Sequence, residues 1–357
     1  MNSVQPLSDR ARPAQAAVSV PPFAVVPGRQ VKEVLDGREK TVRDIVESTY
    51  HLHADGRTVN PASTFLRFPD RSTARIIALP ASLAGDSRVD GLKWISSFPG
   101  NIRSGIPRAS AVLILNDPVT GYPVACMESS VISAARTAAS AAAAADWLSR
   151  DRPRPARVGF VGTGLIARYI HTYLRETGWS FTDTGIHDRS HESAAGFRTY
   201  LEQSGADGNI TVYTDPEQLV RNSDLLVFAT VAAAPHITAC SWFDHHPVVL
   251  HVSLRDLAPP VLLSGTNIVD DLDHCLRAQT SPHLTEQLTG NRDFVHGTLA
   301  DVMAGRVTVP PDTTAVFSPF GLGVLDLAVG KYVYDRLAQS GELAVVEDFF
   351  DELGRYG

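Results

Sequence analysis

The run Arg157-Val158-Gly159-Phe160-Val161-Gly162-Thr163-Gly164-Leu165-Ile166-Ala167 constrains the fold more than any other stretch of the chain. A short apolar run stops at Gly162 and helix-forming residues follow Gly164, which is the strand–turn–helix context a dinucleotide fingerprint requires. Gly162 permits the tight turn, Gly164 lets the backbone approach a pyrophosphate, and Ala167 lets helix and strand pack closely. The turn through Thr163 and the helix opening at Leu165 and Ile166 offer free backbone N–H groups and a positive dipole end to a diphosphate.

The residues downstream extend this into a domain. Apolar runs at 158–161, 185–187, 211–213, 225–229, 248–252 and 267–269 alternate with helical stretches, the pattern of a parallel sheet with helices on both faces. The expected class is therefore α/β, with a Rossmann-type dinucleotide-binding domain over residues 151–305. Asp188 follows the second strand, where a carboxylate hydrogen-bonds ribose hydroxyls and repels a 2′-phosphate, so NAD is expected rather than NADP. Its neighbour Arg189 is suited either to accept a 2′-phosphate or to cover the adenine. Ligands in open parallel sheets lie beyond the carboxyl ends of strands, which makes Thr230 and Ser253 expected cofactor neighbours. Asp256 points at the same crevice, where a carboxylate can hold or deprotonate a substrate amine.

Upstream the pattern differs. Helical spacing over 31–53 breaks at Asp36-Gly37, and short apolar runs at 74–79, 92–98, 109–115 and 122–127 read as an antiparallel sheet. Residues 129–150 are alanine-rich and predict one long helix that joins two domains. Asp151-Arg152-Pro153-Arg154-Pro155 cannot continue it and marks the boundary. Two domains also suit a chain of 357 residues, which exceeds what one core usually serves. A strand at 313–317, a turn and a helix at 323–338 are expected to cross back, because the strands of the nucleotide domain are already complete by about residue 305. The second domain is then an α+β substrate domain built from both chain ends, residues 23–150 and 306–357, after a flexible tail at 1–22.

Buried-looking cations identify the ligand class. Arg136 sits within the alanine helix, and a guanidinium there needs an anion: a substrate carboxylate held by two bonds, or an internal acid. Lys93 interrupts an apolar strand and is either solvated or held for an anion. Arg67 and Arg108 add positive charge, so several cations can converge on a small amino-dicarboxylate. The net charge of -7 argues against nucleic acid. No apolar run is long enough to span a bilayer, and the amino-terminal stretch lacks the pattern of a signal peptide. With only three scattered cysteines, the expected compartment is the reducing cytoplasm. The histidines have no ligand spacing, and no metal is expected.

Taken together, these residues resemble the ornithine cyclodeaminase and mu-crystallin family, which includes alanine dehydrogenases and ketimine reductases; the similarity runs over about 31–337. The stretches from Gly91-Leu92-Lys93-Trp94 to Arg108-Ala109-Ser110, and Ile132-Ser133-Ala134-Ala135-Arg136, are most similar to the branch of N-(2-amino-2-carboxyethyl)-L-glutamate dehydrogenases. That branch makes L-2,3-diaminopropionate for siderophores and peptide antibiotics. The resemblance implies that Lys93 and Arg136 hold the substrate carboxylate with help from Arg67, that Asp256 is the catalytic aspartate, and that a return segment containing Gly321 passes near the nicotinamide. It further implies a homodimer formed through the substrate domain. On this reading Asp256 or Lys93 is the base. The segment Asp256-Leu257-Ala258-Pro259-Pro260 lacks the Pro-Gly-Lys and glutamate of cyclodeaminases, which weighs against ring closure of ornithine. The alternatives are a cyclodeaminase, a simple amino-acid dehydrogenase or ketimine reductase, and a dinucleotide-binding protein without turnover.

Overall fold

A computed structural model describes residues 19–85 and 87–351, so the expected amino-terminal tail lies outside the described residues as far as residue 18. The first part of the chain forms β1 (Phe23–Val26), α1 (Gly28–Leu35), α2 (Glu39–Ala54), β2 (Thr58–Val59), β3 (Thr64–Phe68), β4 (Arg71–Leu83), β5 (Val89–Ser97), β6 (Ala109–Asn116), β7 (Pro123–Glu128) and α3 (Ser130–Leu148). The two opening helices divide at Asp36-Gly37, where Gly37 has a φ of 72°.

Strands β3 to β7 pair antiparallel with their neighbours, as alternating apolar residues and polar turns require. Three short strands complete this sheet: β2 pairs antiparallel with β4, β1 joins β7 in parallel, and β16 (Val345–Val346) pairs with β1. The registers Leu79↔Lys93 and Lys93↔Leu113 put those three residues on one face, with Leu113 fully buried. Burying such a leucine contributes about 1.5–3 kcal/mol. The alanine helix α3 packs against α2 and is buried at every residue from Ala138 to Ala145, because methyl side chains let neighbouring elements approach closely on all sides.

The second sheet is entirely parallel. Its strands are β8 (Arg157–Val161), β9 (Asp183–His187), β10 (Asn209–Val212), β11 (Leu225–Phe228), β12 (Val248–His251), β13 (Thr266–Val269), β14 (Val295–Thr298) and β15 (Ala315–Ser318). They lie in the order β10-β9-β8-β11-β12-β15-β13-β14. Among the helices between them are α4 (Leu165–Glu176), which packs on α3, and α5 (His191–Gln203).

One expectation is corrected here. The strand near 313–317 does not complete the first sheet; β15 inserts between β12 and β13 of the second, pairing Val248↔Ala315 and Thr266↔Ala315. All four of its residues are buried, which an edge position could not provide. The strands of this sheet are thus not complete at 305. The crossing back begins after Ser318 and is made by α6 (Gly323–Ser340), which packs on β4, β5, β6, α2 and α3. Among the described residues no helix is long and apolar enough to cross a membrane.

Candidate active site

Because β8, β11, β12 and β15 are parallel, the loops that leave Val161, Phe228, His251 and Ser318 emerge along one edge. Gly162 turns there with a φ of 89°, and an added Cβ would lie 2.7 Å from the Ala229 carbonyl oxygen, so the loops after β8 and β11 touch and only glycine fits. Gly164 caps α4, and no atom lies within 4 Å of where its Cβ would project. Open space before the first turn of a helix fits a pyrophosphate. Leu165 is 41% exposed there and Ile166 is half-buried.

Asp188 braces the fingerprint. Thr163 donates to its Oδ2 from both the backbone (3.0 Å) and Oγ1 (2.7 Å), and Ser190 N donates to Oδ1 at 2.9 Å. Carboxylate oxygens have lone pairs beyond these bonds, which leaves acceptors for a ribose hydroxyl. Arg189 is exposed beside it.

Lys93 and Arg136 meet at an acid the sequence reading did not assign. Asp326, on the returning helix α6 and fully buried, accepts from Lys93 Nζ at 2.6 Å and from Arg136 Nε at 3.3 Å. Lys93 is itself buried, which excludes the solvated alternative. Burial pushes its ammonium down to about 8 against the pull of Asp326, with the nearby Arg136 adding to the push. For Arg136 both foreseen partners have a place: Asp326 takes Nε, while the terminal nitrogens have no protein acceptor among the described residues. Those nitrogens pack on Gly321, where an added Cβ would lie 2.7 Å from Arg136 Nη1. Gly321 N and Phe320 N donate to the Asp270 carboxylate at 2.7 and 2.9 Å, which fixes this turn against the guanidinium.

A second group of cations lies on the same sheet. Arg75 pairs with Arg67 across β3 and β4 and with Ser97 across β4 and β5, and Ser97 Oγ accepts from Arg108 at 2.6 Å. Burial lowers the Arg75 pKa, and the charges of Arg108, Arg255 and Arg67 lower it further, in that order. Arg255 comes from the loop after β12 and donates to the Ala278 and Gln279 carbonyls. Among the described residues none of the four is ion-paired with an acid. Arg67, expected beside Lys93, belongs here instead: it is exposed and rests over the Phe65 ring at 5.0 Å. Ser97 and Lys93 share a face four residues apart, roughly 13 Å along a strand.

Asp256, expected as the catalytic aspartate, is enclosed by polar partners. It is fully buried, and its Oδ1 accepts from Thr230 Oγ1 at 2.5 Å and contacts His236 Nε2 at 2.9 Å, while Oδ2 accepts from Ser253 Oγ. Burial pushes the carboxyl up, but the His236 hydrogen bond, the nearby His251 ring and the Ser253 hydroxyl outweigh it and hold the group well below the usual carboxylate range. With both oxygens already engaged, the carboxylate is placed to orient these neighbours. The Thr230 and Ser253 hydroxyls, expected beside the cofactor, are turned onto this carboxylate. Cys275 and Asp270 likewise satisfy each other, and among the described residues no group of three or more His, Cys, Asp or Glu side chains is placed to hold a metal ion.

Three comparisons bear on this arrangement. The chain is 27% identical over 304 residues to N-((2S)-2-amino-2-carboxyethyl)-L-glutamate dehydrogenase of Staphylococcus aureus, covering 83% of this chain and 90% of that protein. Its fold superposes on an archaeal alanine dehydrogenase dimer with bound NAD at a TM-score of 0.80 and 26% identity, covering 92% of this chain and 99% of that one. It superposes on Thermococcus litoralis Delta(1)-pyrroline-2-carboxylate reductase, solved with NADH and L-proline, at a TM-score of 0.83 and 22% identity, covering 91% and 100%. The family model for the ornithine cyclodeaminase/mu-crystallin family matches residues 29–341, and the chain belongs to that family.

Proposed function

We propose that the protein is an NAD-dependent oxidoreductase that cleaves N-(2-amino-2-carboxyethyl)-L-glutamate oxidatively to 2-oxoglutarate and L-2,3-diaminopropionate. The observation that carries the substrate class is the group Arg67, Arg75, Arg108 and Arg255, which lacks acidic partners while part of it is desolvated. Partly desolvated cations without counter-ions carry a cost that a bound carboxylate would offset. Alanine or ornithine has one carboxylate, for which Lys93 and Arg136 suffice. The proposed substrate has three.

In this reading the terminal nitrogens of Arg136 take the carboxylate beside the reacting carbon with two parallel bonds, and Lys93 adds a point charge. The arginine group takes the distal carboxylates, and the two anchors fix the carbon between them. The bound nicotinamide supplies the hydride acceptor. Loss of hydride from the glutamate α-carbon leaves a C=N bond, which water hydrolyses. We further propose a cytoplasmic homodimer, with the product serving siderophore or peptide-antibiotic assembly.

Incubation with NAD+ and this tricarboxylate, followed by mass spectrometry, tests this directly. The expected products are 2-oxoglutarate and diaminopropionate in equal amounts with NADH; NADH formed from L-alanine alone, or ammonia from ornithine, would overturn it. Arg75→Met and Arg108→Met should each raise KM for the tricarboxylate about ten- to a hundredfold, since a hydrogen bond to a charged group contributes about 1.5–3 kcal/mol. KM for NAD+ should stay put. Native enzyme should use NAD+ far better than NADP+, and Asp188→Ala should narrow that gap by removing the charge that repels a 2′-phosphate. Equal use of both by the native enzyme would sink the role given to Asp188.

A further inference from the structure

The buried Asp256 carboxylate touches one exposed side chain. His236 lies on the loop after β11, whose first residues pack against Gly162, and its side chain is 40% exposed. Its Nε2 meets Asp256 Oδ1 at 2.9 Å, while its backbone N and that of Ile237 both donate to the Asp256 carbonyl at 3.0 and 2.9 Å. A parallel bridge between Ile237 and Leu257 adds a third tie. The imidazole is therefore held by main chain and side chain against the same residue. Its Nδ1 has no protein partner among the described residues.

The neighbouring groups are otherwise engaged. His251 Nε2 accepts from Asp256 N at 3.2 Å, and its Nδ1 lies 3.1 Å from Ser318 Oγ, so both ring nitrogens are in use. Lys93 Nζ is committed to Asp326. From Asp256 a continuous path runs through His251 and Ser318 to the turn at Gly321 that rests on Arg136. Hydrogen bonds and one turn thus link Asp256 to the residues that pack on the carboxylate clamp.

We infer that His236 Nδ1 is the proton acceptor of the reaction proposed above, with Asp256 as its fixed counter-ion and orienting partner. The inference rests on that reading for its substrate. The secondary ammonium of the substrate gives its proton to Nδ1; the freed lone pair forms the C=N bond as hydride leaves the same carbon for NAD+. Water then adds to that carbon, both its protons pass to nitrogen, and the carbon–nitrogen bond breaks to leave ketone and ammonium. His236 returns its proton to solvent, so one proton is released per NADH. The ionised Asp256 stabilises the imidazolium in between, which a neutral residue could not do.

The tautomer is tested first, without substrate, by nitrogen NMR of protein labelled at histidine, with the His236 signals identified by their loss in His236→Gln. Protonated Nε2 with bare Nδ1 is expected; the reverse tautomer overturns the inference whatever the substrate proves to be. Kinetics follow on native enzyme with NAD+ and the tricarboxylate substrate. His236→Gln keeps a donor for Asp256 but cannot take a proton, and kcat should fall about 10²–10⁴-fold with KM and NADH affinity nearly unchanged. In His236→Ala, added imidazole should restore rate in proportion to its concentration, an effect a structural role would not produce. A His236→Gln variant with native kcat would overturn the assignment. A native enzyme inactive on this substrate, with the expected tautomer intact, would instead overturn the substrate reading.

Discussion

Lys93→Met should lower kcat/KM by about 30- to 3,000-fold, the range expected when one member of a buried, hydrogen-bonded charge pair is truncated at about 2–5 kcal/mol. Methionine matches the lysine stem in length and apolar character, so packing against Leu79 and Leu113 survives and the loss reports the ammonium. The pH profile separates this from a folding defect. In the native enzyme burial brings the Lys93 pKa from 10.5 to about 8. Carboxylate binding should therefore weaken as pH rises through about 8, giving an alkaline limb in kcat/KM that Lys93→Met lacks. The same shift acts on stability with the opposite sense. Between about 8 and 10.5 the unfolded chain holds more protons at this residue than the folded one, so its contribution to folding becomes more favourable across that window. A variant that keeps the limb would assign it to another group.

Asp326→Asn should destabilise the fold by about 3–5 kcal/mol, because it leaves two buried cations without the charge that offsets their desolvation. Asparagine preserves size and an acceptor, so the loss measures charge rather than a cavity. Lys93→Met in the same chain should recover part of the stability, since one of the stranded charges is gone. Urea denaturation of the four proteins in this cycle measures the coupling. A loss below about 1 kcal/mol for Asp326→Asn would show that the pair is solvated in practice, as exposed ion pairs are.

Local chemistry explains what could be read ahead of the structure. The fingerprint, the alanine helix and the antiparallel strands each declare themselves within about 20 residues, through turn glycines, propensity and alternation. The short strand β1 and its partner β16 carry too few residues for a period, and their pairing spans the described chain. The place of β15 depends on a vacancy between β12 and β13 that no local pattern encodes. At the site, the rule that singles out Arg136, a charge in an apolar helix, applies equally to Asp326 within Gly323-Val324-Leu325-Asp326-Leu327-Ala328-Val329. That signal was present and points to the pair. His236, Arg75 and Arg255 are not singled out by that rule; each acquires its neighbours through the crossing of distant strands and loops.

The counter-ion of the buried cations also orders events in time. Lys93 and Asp326 are 233 residues apart in the chain, and Arg136 and Asp326 are 190 apart. At about 5–20 residues per second of synthesis, the sheet that bears Lys93 waits roughly ten to fifty seconds for the helix that neutralises it. Closing that face earlier would strand two charges away from water, so it stays hydrated while the parallel sheet, whose strands lie between, assembles. The half of the molecule made first is in this way the last to become dry.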